Sequence, residues 1–64
     1  MTVSYMDYEG KPARLIEEDN RLRAELYVRG DGFVAIPVAD VLFHGYAISA
    51  KEFEQMVLNL RQRR

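Results

Sequence analysis

The chain has no cysteine and no tryptophan, and only one histidine and two prolines among its 64 residues. Without cysteine there is neither a disulfide staple nor any of the common zinc-binding spacings. His44 is the one imidazole, so no metal and no cofactor is expected. Charge of either sign is not in excess: the net charge of −1 gives no bulk basic character to hold a nucleic acid or an anionic membrane. Apolar runs are only a few residues long, so no membrane span is expected. Met1-Thr2-Val3-Ser4-Tyr5 has neither the basic region nor the apolar core of a secretory leader, and the expected residence is the cytoplasm. A chain of this length forms one domain, residues 1–64, and buries only about 60 % of its unfolded surface. With no staple, tight packing or oligomerisation must supply the missing stability.

What the chain does have is a strong C-terminal helix signal. Ser49 and Glu52 are spaced as a capping box, in which the Ser hydroxyl accepts from the Glu52 N–H and the Glu carboxylate accepts from the Ser49 N–H. Phe53, Met56, Val57 and Leu60 then recur at helical spacing on one stripe. Acidic residues come early (Glu52, Glu54) and basic ones late (Arg61, Arg63, Arg64), in keeping with the helix dipole.

Upstream, the pattern is β. Val3 to Tyr8 is rich in β-formers and ends at the turn signal Glu9-Gly10. A two-residue turn there puts Ser4, Met6 and Tyr8 toward the core, and a slip of one residue puts Val3 and Tyr5 there; the slipped register buries more apolar surface and is the one expected. Ala13 to Glu18 and Arg21 to Arg29 read as a hairpin around Asp19-Asn20, residues that tolerate positive φ. That register sets Glu18 against Arg21 and Arg14 against Glu25 on one face, and Leu15 against Ala24 and Ala13 against Leu26 on the other. It leaves Ile16 on the outer face, opposite Arg23. Gly30-Asp31-Gly32 turns the chain again, and aligning the apolar sets by a type I turn with a G1 bulge pairs Val28 with Val34 and Leu26 with Ile36. Residues 39–49 permit either a short helix or a strand. Val38, Val41 and Leu42 have helical spacing, so a helical turn from Asp40 to His44 is expected, with Asp40 as N-cap and Gly45 ending it.

The expected fold is therefore α+β: an antiparallel meander of three or four strands with the C-terminal helix packed across one face. The counterpart of the helix is expected to be the face carrying Leu15, Leu22, Leu26, Val28, Val34 and Ile36.

Two sets of residues are functional candidates. Arg29-Gly30-Asp31-Gly32-Phe33-Val34-Ala35-Ile36 resembles the RNP1 motif of RRM and cold-shock RNA-binding domains in its basic residue, its glycines and its aromatic-aliphatic pair. It departs from that motif at Asp31 and Ile36, where the family carries aromatics. The resemblance implies a platform of Arg21, Arg23, Tyr27, Arg29 and Phe33 on which bases of RNA or single-stranded DNA stack. The second set is the aromatics Tyr5, Tyr8, Phe43 and Tyr46, any surplus of which over a small core marks a protein interface, together with Leu58, which stands off the helix stripe roughly opposite Met56. Asp40 and His44 at i, i+4 have the spacing of a carboxylate orienting an imidazole, but no nucleophile accompanies them. Arg61-Gln62-Arg63-Arg64 complements the helix dipole and carries too few charges to hold a polyanion alone.

The function expected from these features is non-enzymatic: a small protein-interaction module that binds itself, as a homodimer, or a protein partner. The competing expectation is an RNA- or single-stranded-DNA-binding domain. No small-molecule substrate is evident in the sequence.

Overall fold

The computed structural model describes residues 1–62. Five strands form one antiparallel sheet: β1 (Thr2–Tyr8), β2 (Lys11–Glu18), β3 (Arg21–Val28), β4 (Gly32–Ile36) and β5 (Gly45–Ile48). Two helices complete the chain, α1 (Val38–His44) and α2 (Ala50–Gln62). The strand order is β4-β3-β2-β1-β5, so β1 to β4 form the expected meander and β5 extends it as a fifth strand on the far edge.

The first two turns are two residues long, with positive φ at both positions: Glu9 (51°) and Gly10 (86°), Asp19 (52°) and Asn20 (62°). That backbone twist matches the twist of the flanking strands. In the β2–β3 hairpin every expected pair forms, including Arg14 opposite Glu25 and Leu15 opposite Ala24. The β1–β2 hairpin takes the unslipped register, with Tyr8 opposite Lys11 and Met6 opposite Ala13. The slipped register fails because it assumes that only one face of the sheet is covered. Here both are, and Val3 and Tyr5 are part-buried on one face while Met6 is buried on the other.

The β3–β4 register also differs from expectation, by two residues. Val28 pairs with Gly32, Leu26 with Val34 and Ala24 with Ile36. A shift of two keeps every side chain on its face, so alternation alone cannot detect it. The turn chemistry decides instead. Gly30 sits at φ 91° while the Asp31 N–H donates to the Val28 carbonyl at 3.1 Å, a type II rather than a type I arrangement.

The two helices lie on opposite faces of the sheet. Val41 of α1, fully buried, packs with Met6, Ala13 and Ala24, bordered by Tyr8, Leu15, Leu26, Ile36 and Val38. This is the face expected to receive the C-terminal helix. Instead α2 covers the other one. Phe53 is buried there, with its ring 4.5 Å from that of Tyr5 and 6.0 Å from that of Phe33. Ile16, expected outside, is 4 % exposed on this face. The connections explain the exchange. β4 ends on one edge of the sheet and β5 begins on the other, so the segment between them must cross a face, and α1 occupies it. The following helix is left with the opposite face.

The capping box forms as expected: the Glu52 N–H donates to Ser49 Oγ at 3.1 Å, and the Ser49 N–H donates to Glu52 Oε1 at 3.2 Å. α1 begins two residues earlier than expected, with Pro37 and not Asp40 in the N-cap position. Gly45 does end it, but in extended backbone (φ −110°) and not in the left-handed region.

Candidate functional site

On the α2 face, Phe33 is enclosed by its neighbours. The Arg14 guanidinium lies 3.7 Å from the centre of its ring. Tyr27 meets it edge-on at 5.3 Å, and Phe53 lies nearly parallel to it. Arg14 is held in place by Glu25, whose Oε1 accepts from Arg14 Nε at 2.8 Å. Glu25 also accepts from Arg23 at 3.1 Å through its other oxygen. Sheet register produces this cluster, since Arg14 and Glu25 are directly opposed and Phe33 sits beside Tyr27 on the next strand.

The five residues implied by the RNP1 resemblance therefore do not form one open platform. Phe33 and Tyr27 pack against each other, and Arg23 is paired to the part-buried Glu25. Arg21 and Arg29 remain exposed, Arg21 beside the acidic Glu18 and Asp19 in a shallow polar depression.

The aromatic and aliphatic candidates divide differently. Tyr5 is packed on Phe53, and Tyr8 meets the His44 ring edge-on at 6.5 Å. Phe43 is 84 % exposed on α1. Tyr46 is exposed on β5, and its hydroxyl donates to Asp7 Oδ2 at 2.9 Å. Leu58 is exposed on α2, bordering a shallow groove with Arg14, Phe33 and Arg61. Arg63 and Arg64 of the basic tail lie outside the described residues. Asp40 and His44 are both exposed on α1, and the ring that His44 meets is that of Tyr8. Among the described residues, no group of three His, Cys, Asp or Glu is placed to hold a metal ion, and no helix is long and apolar enough to cross a membrane.

Leu42, which shares helical spacing with Val38 and Val41, is 55 % exposed. Helix geometry supplies the signal: Leu42 is offset by about 100° from Val41, the centre of the buried stripe, and Phe43 by about 200°. α1 thus presents two adjacent large apolar side chains, one on its flank and one pointing away from the sheet.

α1 also leaves part of its face uncovered. It is only seven residues long, roughly 10 Å, within the connection that crosses the five-stranded sheet from the β4 edge to the β5 edge. Val28, Val34 and Leu22 are on this face by register but stand outside the cluster that Val41 closes, and Leu22 is exposed.

Two phenols titrate abnormally. The Asp7 hydrogen bond, and then the Asp7 charge, push Tyr46 above the ordinary 10.0. Tyr8 is raised by partial burial, then by Asp40 and Glu9. A folded-state value raised for an acid means that any stabilisation from Tyr46 is intact below pH 10.0 and is lost as pH climbs through the raised value. Asp7→Asn keeps an acceptor for the Gly10 N–H, now 2.7 Å from Asp7 Oδ1, while removing the charge. The substitution is expected to return one tyrosine toward 10.0 in an ultraviolet alkaline titration. An unchanged titration would show that Asp7 does not hold the phenol.

The chain matches no family model, no curated protein and no solved structure.

Proposed function

We propose that the chain is a protein-interaction module that works by associating with a second copy of itself, with no catalytic role. The observation that carries this reading is the pair Leu42 and Phe43, standing exposed on α1 beside an incompletely covered apolar sheet face. The buried hydrophobic residues among those described are Met6, Ala13, Ile16, Ala24, Val41 and Phe53, and two of these are alanines. A core that small leaves a short chain only marginally stable. Association that buries further apolar surface stabilises the folded form directly.

The nucleic-acid reading has less in its favour. Base stacking needs an open ring face, and Arg14, Tyr27 and Phe53 surround Phe33. Retention of a single-stranded oligonucleotide at low salt, lost on Arg29→Ala, would restore it.

Sedimentation equilibrium tests the proposal. The wild-type chain is expected to sediment with the mass of two chains at high concentration. A single-chain mass at every concentration would overturn self-association.

A further inference from the structure

We infer that the two copies join edge to edge through β5, with the last turn of α1 from each copy closing over the seam. The inference rests on the self-association proposed above.

The exposed apolar residues decide which of the two free sheet edges is used. α1 follows β4, passes over β3 and β1 and ends at β5, so Leu42 and Phe43 in its last turn stand at the β5 edge. β5, Gly45-Tyr46-Ala47-Ile48, is short, but it carries none of the charge, proline or bulge that otherwise blunts a free edge. Tyr46 and Ala47 are exposed on it.

The backbone sets the register. In an antiparallel ladder alternate residues turn their N–H and C=O to the same neighbour. Gly45 gives its N–H to the Val41 carbonyl and not to β1. By alternation Tyr46 and Ile48 face β1, and Ala47 turns both its groups to the open edge. A two-fold axis at Ala47 lets each Ala47 N–H donate to the Ala47 carbonyl of the other copy. Tyr46 then opposes Ile48, an aromatic against a β-branched residue, which is a favourable cross-strand pair. Gly45 opposes Ser49, whose N–H already donates to Glu52, and the ladder ends there. Centring on Tyr46 instead sets Ala47 against Gly45, which has no N–H left to give. The Ala47-centred pairing is isologous and closes on two copies.

The same axis brings the two α1 helices together on one face. His44 meets Tyr8, so that flank of α1 faces the Tyr8 end of the strands. Leu42 lies about 160° around the helix from His44 and faces the opposite end, where β5 finishes. Because Gly45 of the second copy lies opposite Ser49, the second α1 ends at that same place. Leu42 of each copy therefore turns toward the α1 of the other, and Phe43 beside it closes over the pair. Beneath them β5 presents only Gly45 and Ala47 on this face, which leaves room for both.

Four paired residues, roughly 13 Å of strand, do not make a stable interface alone. An aromatic side chain buries about 150–250 Å². At 84 % and 63 % exposure, Phe43 and Tyr46 of the two copies offer roughly 450–750 Å². Leu42, Ala47 and the edge backbone bring this to the ~1,000 Å² that a specific interface buries.

The absence of cysteine makes the test clean. Directly opposed Cα atoms in a hydrogen-bonded antiparallel pair are about 5.5 Å apart, within the range a disulfide spans. Ala47→Cys is expected to form a covalent dimer under mild oxidation at least ten-fold faster than Ala35→Cys, which is exposed on the β4 edge. Phe43→Ser is expected to reduce the sedimenting mass to one chain with the circular-dichroism spectrum unchanged; if that variant unfolds, the cross-linking comparison decides. A two-chain mass in which Ala47→Cys cross-links no faster than Ala35→Cys would overturn the β5 join and leave self-association standing. A folded Phe43→Ser variant that keeps the two-chain mass would overturn the part given to α1. A single-chain mass in the wild type would overturn both the join and self-association.

Discussion

Phe53→Ala is expected to abolish the cooperative thermal transition of the chain. Phe53 is the buried residue of α2, and its ring lies against those of Tyr5 and Phe33. Truncating a buried phenylalanine costs about 3–5 kcal/mol. The ring pairs add about 0.5–1.5 kcal/mol each beyond the area buried. A chain of 64 residues has on the order of 3–10 kcal/mol in total at the usual stability per residue. Met56, Val57 and Leu60, the other members of the stripe, are only part-buried, so they cannot hold α2 in place alone. Circular dichroism during heating measures the effect. A cooperative melt within a few degrees of wild type would show that α2 is not fixed by this ring.

The second large effect is expected from Gly45→Ala, at the point where α1 ends and β5 begins. A methyl group built on Gly45 falls 2.6 Å from the Val41 carbonyl oxygen and 3.1 Å from that of Asp7. Both contacts are backbone, so no side chain can rotate away. The φ of −110° is open to any residue, and the glycine is needed for close approach rather than for its conformation. Its N–H donates to the Val41 carbonyl, and its residue pairs with Tyr8 across the sheet. Alanine must separate α1 from β1 or break the last turn of α1. Overpacking of this kind costs about 1–3 kcal/mol. Urea unfolding is expected to show the midpoint falling accordingly with little change in slope. A midpoint equal to wild type would mean that the α1–β5 junction yields without cost.

The residues that made the fold legible are those with two independent constraints. In the β2–β3 hairpin, charge pairing of Arg14 with Glu25 and apolar pairing of Leu15 with Ala24 demand the same register, and that register forms. Ser49 and Glu52 cap each other reciprocally, so neither signal stands alone. β1 was ambiguous because Val3 and Tyr5 on one parity and Met6 and Tyr8 on the other are all suited to burial. That alternation of apolar residues on both parities is what a sheet covered on two faces looks like. Ile16, opposite Arg23, carried the same message, as did Phe33 and Tyr27. The arginines obscured it. Arg14 marks a solvated face by its charge, yet its guanidinium covers Phe33 while Glu25 neutralises it.

The candidate site was less legible for a related reason. Phe43 was among the expected surface aromatics and is exposed, whereas Tyr5 was grouped with it and is packed on Phe53. Nothing local distinguishes the two. Which face each helix takes depends on α1 crossing from β4 to β5, and the four-residue strand β5 is too short to read from its own sequence.

If a second copy of the chain completes the small core, the thermal midpoint must depend on protein concentration. A folded dimer that melts to single chains gains stability by mass action, so the midpoint is expected to rise steadily across a wide dilution series. A midpoint independent of concentration, with the transition still cooperative, would overturn self-association.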